Sequence, residues 1–186
     1  MKRLFDMALA IALGLLALLP CFGIGVLVIA SSRGPALYWS DRVGKDNEIF
    51  RMPKFRSMSV GTPVVATHLL TNAGSHITPI GAFLRKTSLD ELPQLWSVFK
   101  GDMSFVGPRP ALFNQSDLIA LRTERGVHRV RPGITGWAQV NGRDELDIPM
   151  KVSFDVEYMQ RQSIAFDLRI LWFTVWRVFH GRGVRH

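Results

Sequence analysis

The chain has 186 residues, with 23 Lys and Arg against 15 Asp and Glu, and its formal net charge at pH 7 is +8. Hydrophobic residues make up 47% of the chain, which excludes a disordered polycation and allows a sizeable buried core. The single cysteine, Cys21, excludes an internal disulfide framework, and a chain both basic and apolar fits a membrane surface better than nucleic acid.

The first predicted element is an apolar segment, Met7–Ser32, whose 26 residues carry no charge. A helix of this length can cross a hydrocarbon core of about 30 Å. A secretory signal peptide is one alternative, because Lys2 and Arg3 precede the run. The run is long for a signal peptide, however, and no clean cleavage site follows it before Arg33. Residues 1–33 are therefore predicted to form a membrane-inserted helix.

The path of this helix through the membrane has two interpretations. Pro20 lies near its middle and removes one helical hydrogen bond. Basic residues flank both ends, with Lys2 and Arg3 before the helix and Arg33 and Arg42 after it. If basic flanks stay on the cytoplasmic face, a helix kinked near Pro20 enters and leaves by that face, with arms of roughly 20 Å. A tilted, kinked single span is the alternative.

Residues 34–186 are predicted to form one mixed α/β, helix-rich domain docked on the membrane. Strands are predicted where short apolar or alternating runs meet turn residues: Ala36–Ser40, Glu48–Met58 with an interruption at Pro53, and Ile134–Val140 before the Asn141–Gly142 turn. Residues 59–79 are rich in Thr, Gly, Pro, Ser and Asn, which predicts a mobile loop.

Helices are predicted at Ile80–Lys86, Leu92–Phe99, Phe113–Arg125 and Pro149–Arg161, and Gly101 is expected to end the second of them. The last 26 residues of the chain hold five arginines and one aspartate among many Trp and Phe residues. This composition predicts an interfacial helix on an anionic leaflet, with Trp172 and Trp176 at headgroup level. A helix that packs on the core is the alternative.

The densest group of candidate functional residues is the stretch Arg85–Gln94. Ser88 and Glu91 have the spacing of a helix capping box, which would give them a purely structural role. Pro93 disfavours that register because it would interrupt the new helix. If Pro93 instead occupies the first helical position, Asp90 and Glu91 lie at a helix N-terminus, which keeps carboxylates ionised and attracts phosphate. That arrangement suits a nucleophilic aspartate beside a carboxylate that holds Mg²⁺.

Two loops add candidate phosphate-binding cations. Arg109 lies between two prolines in Gly107-Pro-Arg-Pro110, which restricts the backbone that presents its guanidinium. The segment from Arg131 to Arg143 offers glycines for close backbone approach and an arginine at each end. Together these cations and the two carboxylates suit a diphosphate substrate. The five histidines lack the spacing of a transition-metal site.

Four segments carry a resemblance to the bacterial sugar transferase family, the small monotopic phosphoglycosyl transferases that initiate lipid-linked glycan assembly. They are Lys54-Phe-Arg-Ser-Met58, Ser88-Leu-Asp-Glu-Leu-Pro-Gln-Leu-Trp96, Lys100-Gly-Asp-Met-Ser-Phe-Val-Gly-Pro-Arg-Pro110 and Arg131-Pro-Gly-Ile-Thr-Gly-Trp-Ala-Gln-Val-Asn-Gly-Arg143. The match runs in order over effectively the whole chain. The chain resembles the minimal form of the family, which lacks the extra membrane helices of the larger members.

The resemblance implies transfer of a sugar phosphate from a UDP-sugar to polyprenyl (undecaprenyl) phosphate, with release of UMP. This would be the first membrane step of polysaccharide or glycoconjugate synthesis, at the cytoplasmic face of the bacterial inner membrane. The implied partners are the UDP-sugar, polyprenyl phosphate and membrane lipid, without nucleic acid. The family also implies a catalytic domain in residues 34–186, a re-entrant helix in residues 1–33, and interfacial amphipathic helices.

The resemblance also implies roles for individual residues. Asp90 would attack the β-phosphorus and become a phosphosugar-bearing aspartate, and Glu91 would ligate Mg²⁺. The residues expected to contact substrate phosphates are Lys54, Arg109, Arg131 and Arg143. Asp155 or Asp167 is expected to add a further acid.

The sequence departs from the family pattern at two prolines. The family commonly has a Ser-Pro pair at the membrane break, whereas Leu19 precedes Pro20 here. The carbonyl freed near the break therefore lacks an obvious partner, which is costly in hydrocarbon. Pro53 before Lys54 is also unusual and restricts Met52 to extended geometry.

Other functions and several details stay open at this point. A membrane-anchored basic binding module would not need Asp90, and a polyprenyl-diphosphate hydrolase would release phosphate rather than UMP. The sequence does not identify the sugar, the glycan pathway or the oligomeric state, a homodimer included. Sugar specificity is expected in the 59–79 loop and the 144–150 segment.

Overall fold

The structure, a computed structural model, describes residues 1–63, 73–142 and 146–180. Its α-helices are α1 Lys2–Ser31, α2 Ala73–His76, α3 Pro79–Thr87, α4 Leu95–Lys100, α5 Ser116–Glu124, α6 Trp137–Asn141, α7 Ile148–Arg161 and α8 Ile164–His180. Its strands are β1 Leu37–Val43, β2 Ile49–Phe55, β3 Ser104–Val106 and β4 Gly133–Thr135, and 3-10 helices span Lys45–Asn47, Leu89–Gln94 and Val127–Arg129. The predicted mixed α/β, helix-rich class is confirmed.

Strands β1 and β2 form an antiparallel hairpin. Their register pairs Tyr38 with Lys54 and Trp39 with Pro53. Strand β2 runs through Pro53, so the predicted interruption there is wrong. Each strand of a two-stranded sheet has a free edge, and a proline is tolerated where its nitrogen faces that edge. Asp46 and Asn47 close the hairpin with φ of 56° and 63°.

Strands β3 and β4 form a short parallel pair in which Val106 lies opposite Thr135. The strand predicted over Ile134–Val140 is wrong beyond Thr135, because residues 137–141 form helix α6. Gly136 separates the two elements, and a Cβ at this position would lie 2.1 Å from the backbone oxygen of Gly107. Close approach of these two glycines ends the strand.

The other predicted elements are largely present. The predicted loop 59–79 contains helix α2 and a bridge between Met58 and Ile77, whereas residues 64–72 lie outside the described residues. Helix α3 begins after Thr78, whose hydroxyl accepts the backbone N–H of Gly81 at 3.0 Å. Helix α4 ends at Gly101, with φ of 103°, as predicted.

The N-terminal end of α1 is bonded to the rest of the fold. Asp6 is buried, and its Oδ1 accepts the hydroxyl of Ser104 at 3.1 Å. The guanidinium of Arg3 donates to the backbone oxygens of Val98 and Phe99 at the end of α4. Charged residues that precede the apolar run therefore dock this end of the helix on β3 and α4.

The C-terminal end of α1 is bonded to the same body of the protein. Arg56, which follows β2, donates to the backbone oxygens of Ser32, Arg33 and Gly34. One turn earlier, Val28 is fully buried. Arg56 thereby fixes the segment that leaves the helix, and its contact with the Ser32 oxygen satisfies a carbonyl that the helix end leaves without an intrahelical partner.

The middle of α1 is apolar and uncovered. The helix is continuous through Pro20, and its most apolar 18-residue window has a mean hydropathy of 2.6 with only 6% of its residues buried. A core helix of a soluble protein would be mostly buried. Length, composition and exposure together suggest that α1 associates with a membrane.

The main core lies where α1, α4, β3, α7 and α8 meet. Its fully buried members include Val98, Met103, Val106, Tyr158 and Ile170. On the outer side of α8, the Trp172 and Trp176 side chains are 66% and 54% exposed. Their predicted location at headgroup level stays a prediction.

Candidate active site

The two adjacent carboxylates lie in the 3-10 helix Leu89–Gln94. Ser88 precedes it in the left-handed region, with φ of 58°, and makes no side-chain cap. Asp90 and Glu91 occupy the first turn, and Pro93 lies inside the element. The element thus begins directly after Ser88, as the capping-box register requires, but without the capping hydrogen bond, and the register with Pro93 at the first helical position is wrong. The tighter 3-10 winding accommodates Pro93 before α4 begins at Leu95.

Glu91 is the centre of an ion-pair cluster. Its Oε1 accepts Lys54 Nζ at 3.0 Å and an Nη of Arg109 at 2.6 Å. The side chains of Glu91 and Lys54 are 13% and 15% exposed, and that of Arg109 is 32% exposed. The structure thus brings together three residues that lie far apart in the sequence, as the site prediction requires.

The loop that presents Arg109 is held by two other arginines. Arg122 donates to the backbone oxygen of Arg109 at 2.8 Å, and Arg42 donates to that of Pro110 at 3.2 Å. Arg122 is itself fixed by Asp155, whose Oδ2 accepts its Nε at 2.9 Å and an Nη at 2.6 Å. The position of the Arg109 guanidinium therefore depends on a chain of contacts that reaches helix α7.

Asp90 and Glu91 have different electrostatic environments. Burial raises the pKa of Asp90, although the nearby cations Lys54, Arg109 and Arg85 oppose the shift. Burial also acts to raise the pKa of Glu91, but the charges of Arg109 and Lys54 outweigh it and hold that pKa well below its usual range. Glu91 is therefore a fixed anion, whereas Asp90 is a carboxylate whose charge the site stabilises poorly.

Lys54 is also altered by its surroundings. Burial lowers its pKa, and the charge of Glu91 acts in the opposite direction. A buried cation next to an anion is retained because separating the two would leave each charge uncompensated. Lys54 and Glu91 therefore depend on each other.

The two further acid candidates are already engaged in the fold. Asp155 is 1% exposed and paired with Arg122. Asp167 is 1% exposed, forms an ion pair with Lys2 and accepts the hydroxyl of Tyr158 at 2.8 Å. These contacts give both carboxylates positions in the scaffold, and their role as acids stays a prediction.

The two remaining phosphate-binding candidates differ in location. Arg131 is exposed at the start of the segment that leads into β4. Arg143 lies outside the described residues. The assignment of both to phosphate contacts stays a prediction.

Sequence reasoning missed two cations of this site. Arg85 acts electrostatically on Asp90, and its location only five residues before that carboxylate was the available signal. Arg42 lies near Arg109 and Glu91. Its role depends on the register of the β1–β2 hairpin, which the sequence does not specify.

Glu91 is the carboxylate that could hold a Mg²⁺ shared with a substrate, and this role stays a prediction. Mg²⁺ in proteins is commonly held by one or two carboxylates together with substrate phosphates. Among the residues that the structure describes, no group of three or more His, Cys, Asp or Glu could form an all-protein metal site. Both cation contacts of Glu91 fall on Oε1. The donor set thus suits a Mg²⁺ completed by phosphate oxygens.

Comparison with known proteins gives consistent results over nearly the whole chain. A family described as bacterial sugar transferase matches residues 1–181. An undecaprenyl-phosphate glucose phosphotransferase of Komagataeibacter xylinus is 40% identical over 98% of this chain and 36% of its own length. The UDP-glucose:undecaprenyl-phosphate glucose-1-phosphate transferase of Escherichia coli (strain K12) is 39% identical over 98% of this chain and 41% of its own length.

A relative of similar size also matches. An uncharacterized sugar transferase, EpsL, of Bacillus subtilis (strain 168) is 39% identical over 100% of this chain and 90% of its own length. By contrast, the chain spans only 36% to 41% of the length of the two larger relatives.

Proposed function

The chain belongs to the bacterial sugar transferase family, and from this we propose that it transfers a sugar phosphate from a UDP-sugar to undecaprenyl phosphate and releases UMP. One observation carries the proposal. Two adjacent carboxylates, Asp90 and Glu91, lie within a cluster of cations. Glu91 is ion-paired and held as an anion, whereas the anionic form of Asp90 is less well stabilised. The names of relatives that act on undecaprenyl phosphate support the acceptor.

Asp90 is the proposed nucleophile. One of its carboxylate oxygens attacks the β-phosphorus of the UDP-sugar, the bond from that phosphorus to the bridging oxygen breaks, and UMP leaves with the electron pair. An oxygen of undecaprenyl phosphate then attacks the same phosphorus, and Asp90 leaves as a carboxylate. Burial that raises the pKa of Asp90 also makes its anion more reactive.

The cations around Asp90 have separate tasks in this proposal. Lys54 and Arg109 fix the Glu91 carboxylate and add positive charge where the diphosphate would lie. Glu91 would hold a Mg²⁺. That ion would supply charge neutralisation on the phosphate oxygens.

We also propose that α1 is re-entrant, which places the site at the cytoplasmic face of the inner membrane. Support comes from the two docked ends of the helix. Arg3 and Asp6 bind α4 and β3 at one end, and Arg56 binds the backbone that follows Ser31 at the other. A helix that crossed the bilayer would separate its ends by about 30 Å of hydrocarbon, so one folded domain outside the membrane could not hold both.

Turnover is tested by UMP release from a panel of UDP-sugars with undecaprenyl phosphate and Mg²⁺. The wild-type chain should release UMP and retain a covalent phosphosugar when the acceptor is omitted, and Asp90→Asn should do neither. Asp117→Asn, an exposed aspartate of α5, is the matched control and should behave as wild type. Normal turnover by Asp90→Asn would exclude the nucleophile, and free phosphate in place of UMP would indicate a hydrolase.

Topology is tested with single cysteines in a Cys21→Ser background. Leu4→Cys and Ser31→Cys place thiols at exposed positions near the two ends of α1. A membrane-impermeant maleimide should label both from the same side of oriented membrane vesicles. Labelling from opposite sides would show that the helix spans the membrane.

A further inference from the structure

Arg42 is a charged residue of the site for which the proposed reaction has so far provided no role. It lies in β1, and its side chain is half-buried. Its Nε donates to the hydroxyl of Ser40 at 3.0 Å, and an Nη donates to the backbone oxygen of Pro110 at 3.2 Å. Both partners are neutral. Among the ion pairs of the described ranges, none joins Arg42 to a carboxylate.

The register of the hairpin places Arg42 on the face that carries Lys54. Tyr38 lies directly opposite Lys54, and alternate residues of a strand share a face. Tyr38, Ser40 and Arg42 therefore form one row on β1, beside Lys54 on β2. A bridge between Arg42 and Leu112 joins the end of this row to the segment after Pro110. Arg42 thus lies on the same face of the hairpin as Lys54, four residues along β1 from Tyr38, and directly next to the loop that carries Arg109.

Arg42 has neutral hydrogen-bond partners and only a more distant anion, Glu91, to offset its charge. Lys54 and Arg109 are both committed to Glu91, whereas Arg42 adds a further positive charge. Burial and the charge of Arg109 lower the pKa of Arg42 to about 10, although the charge of Glu91 acts in the opposite direction. A partly buried guanidinium next to another cation is costly unless an anion accompanies it. Two hydrogen bonds also leave three of its five N–H donors for such an anion.

We propose that Arg42, together with Arg109, binds a phosphate group of the substrate diphosphate. A guanidinium is suited to this because its planar fork donates two parallel hydrogen bonds to phosphate oxygens. The identity of the nucleotide rests on the proposed function, whereas the presence of an anion subsite does not. The subsite would add binding energy on the side of the Arg109 loop.

The test is calorimetric binding to the full-length protein, with UDP and with inorganic pyrophosphate as separate probes. Arg42→Gln should weaken the binding of both by about 10- to 100-fold, the expected loss for charge-assisted hydrogen bonds. Arg51→Gln is the matched control. It removes an exposed arginine from the same hairpin, but on the opposite face, where the guanidinium lies 5.4 Å from the Trp39 ring centre. It should bind both probes as wild type does.

A purely structural role for Arg42 gives a different result. If Arg42 only supports Pro110 and thereby positions Arg109, Arg42→Gln would not weaken the binding of either probe any further in an Arg109→Gln background, whereas a direct contact with the anion would add to the loss. Absence of a further loss would overturn the inference. Arg42→Lys serves if Arg42→Gln does not fold. Arg42→Lys keeps the positive charge but lacks the planar guanidinium, so its affinity for both probes should fall between those of wild type and Arg42→Gln. Wild-type affinity of Arg42→Lys would count against the subsite.

Failure of the proposed function is distinguishable. If the wild type binds pyrophosphate in a manner that depends on Arg42 but neither binds UDP nor releases UMP, the subsite stands and the proposed reaction falls. If UMP release is confirmed but both affinities are independent of Arg42, the reaction stands and the subsite falls. If the wild type binds neither probe, the subsite is refuted.

Discussion

Glu91→Gln is the substitution that most directly tests the electrostatics of the site. The change keeps the size of the side chain and removes the charge that Lys54 and Arg109 share. Hydrogen bonds to charged groups contribute about 1.5–3 kcal/mol each, and removing one partner of a buried ion pair costs about 3–5 kcal/mol. Because Arg109 is one-third exposed, solvent screens part of the loss, and we expect about 3 kcal/mol.

For a chain of this size, about 1 kcal/mol corresponds to about 2–4 °C in the midpoint of thermal unfolding. Glu91→Gln should therefore lower the midpoint by about 6–12 °C, as measured by circular dichroism or differential scanning fluorimetry. Glu124→Gln is the control, because Glu124 pairs with Arg125 in an exposed contact at the end of α5. Surface pairs of this kind contribute about 0.2–1 kcal/mol, so its midpoint should change by no more than about 4 °C.

The effect of Glu91→Gln should also depend on pH. Arg109 and Lys54 hold the pKa of Glu91 well below its usual range, so the folded state favours the anion. This stabilisation is fully present above the unfolded-state pKa of about 4.3 and is lost as pH falls towards the folded-state pKa. The difference between wild type and Glu91→Gln should be constant from about pH 6 to 8 and shrink below about pH 4.5. Equal midpoints at pH 7, or a difference that grows in acid, would refute the reasoning.

Three further substitutions separate catalysis, positioning and packing. Because burial raises the pKa of Asp90, ionisation of this carboxyl group disfavours the folded state above about pH 4. Asp90→Asn should therefore abolish UMP release and yet raise the melting temperature at pH 7. A lower melting temperature would contradict this expectation. Asp155→Asn removes the carboxylate that fixes Arg122. In denaturant titrations it should lower the free energy of unfolding by about 3 kcal/mol. A change below about 0.5 kcal/mol would show that this ion pair does not stabilise the fold. At Gly136 a Cβ would lie 2.1 Å from the backbone oxygen of Gly107, so Gly136→Ala should yield little folded protein in size-exclusion chromatography. Gly23→Ala is the control and should fold normally, because a Cβ there would meet nothing within 4 Å. Equal yields of folded protein from the two variants would refute the packing argument.

Local sequence signals predicted the elements whose structure depends on nearby residues. Helix α7 and the end of α4 at Gly101 follow from helix propensity and from the left-handed conformation that glycine adopts easily. The strand predicted beyond Thr135 failed because close packing of Gly136 against another loop ends it, and this contact joins residues far apart in the chain. The 3-10 helix around Asp90 could not be predicted for the same reason, because it packs against β2, a strand far from it in the sequence.

The sequence by itself determined the apolar segment, the excess of positive charge and the adjacent pair Asp90 and Glu91, because each is a matter of composition or of neighbouring residues. It also placed arginines in restricted loops. Only the tertiary structure decided which charges meet. It brought Lys54 and Arg109 onto one oxygen of Glu91, and it placed Arg42 on the Lys54 face of the hairpin, next to the loop that carries Arg109. Electrostatic interactions depend on distance and burial in space, so residues separated along the chain acquire their pKa values and their partners only when the chain is folded.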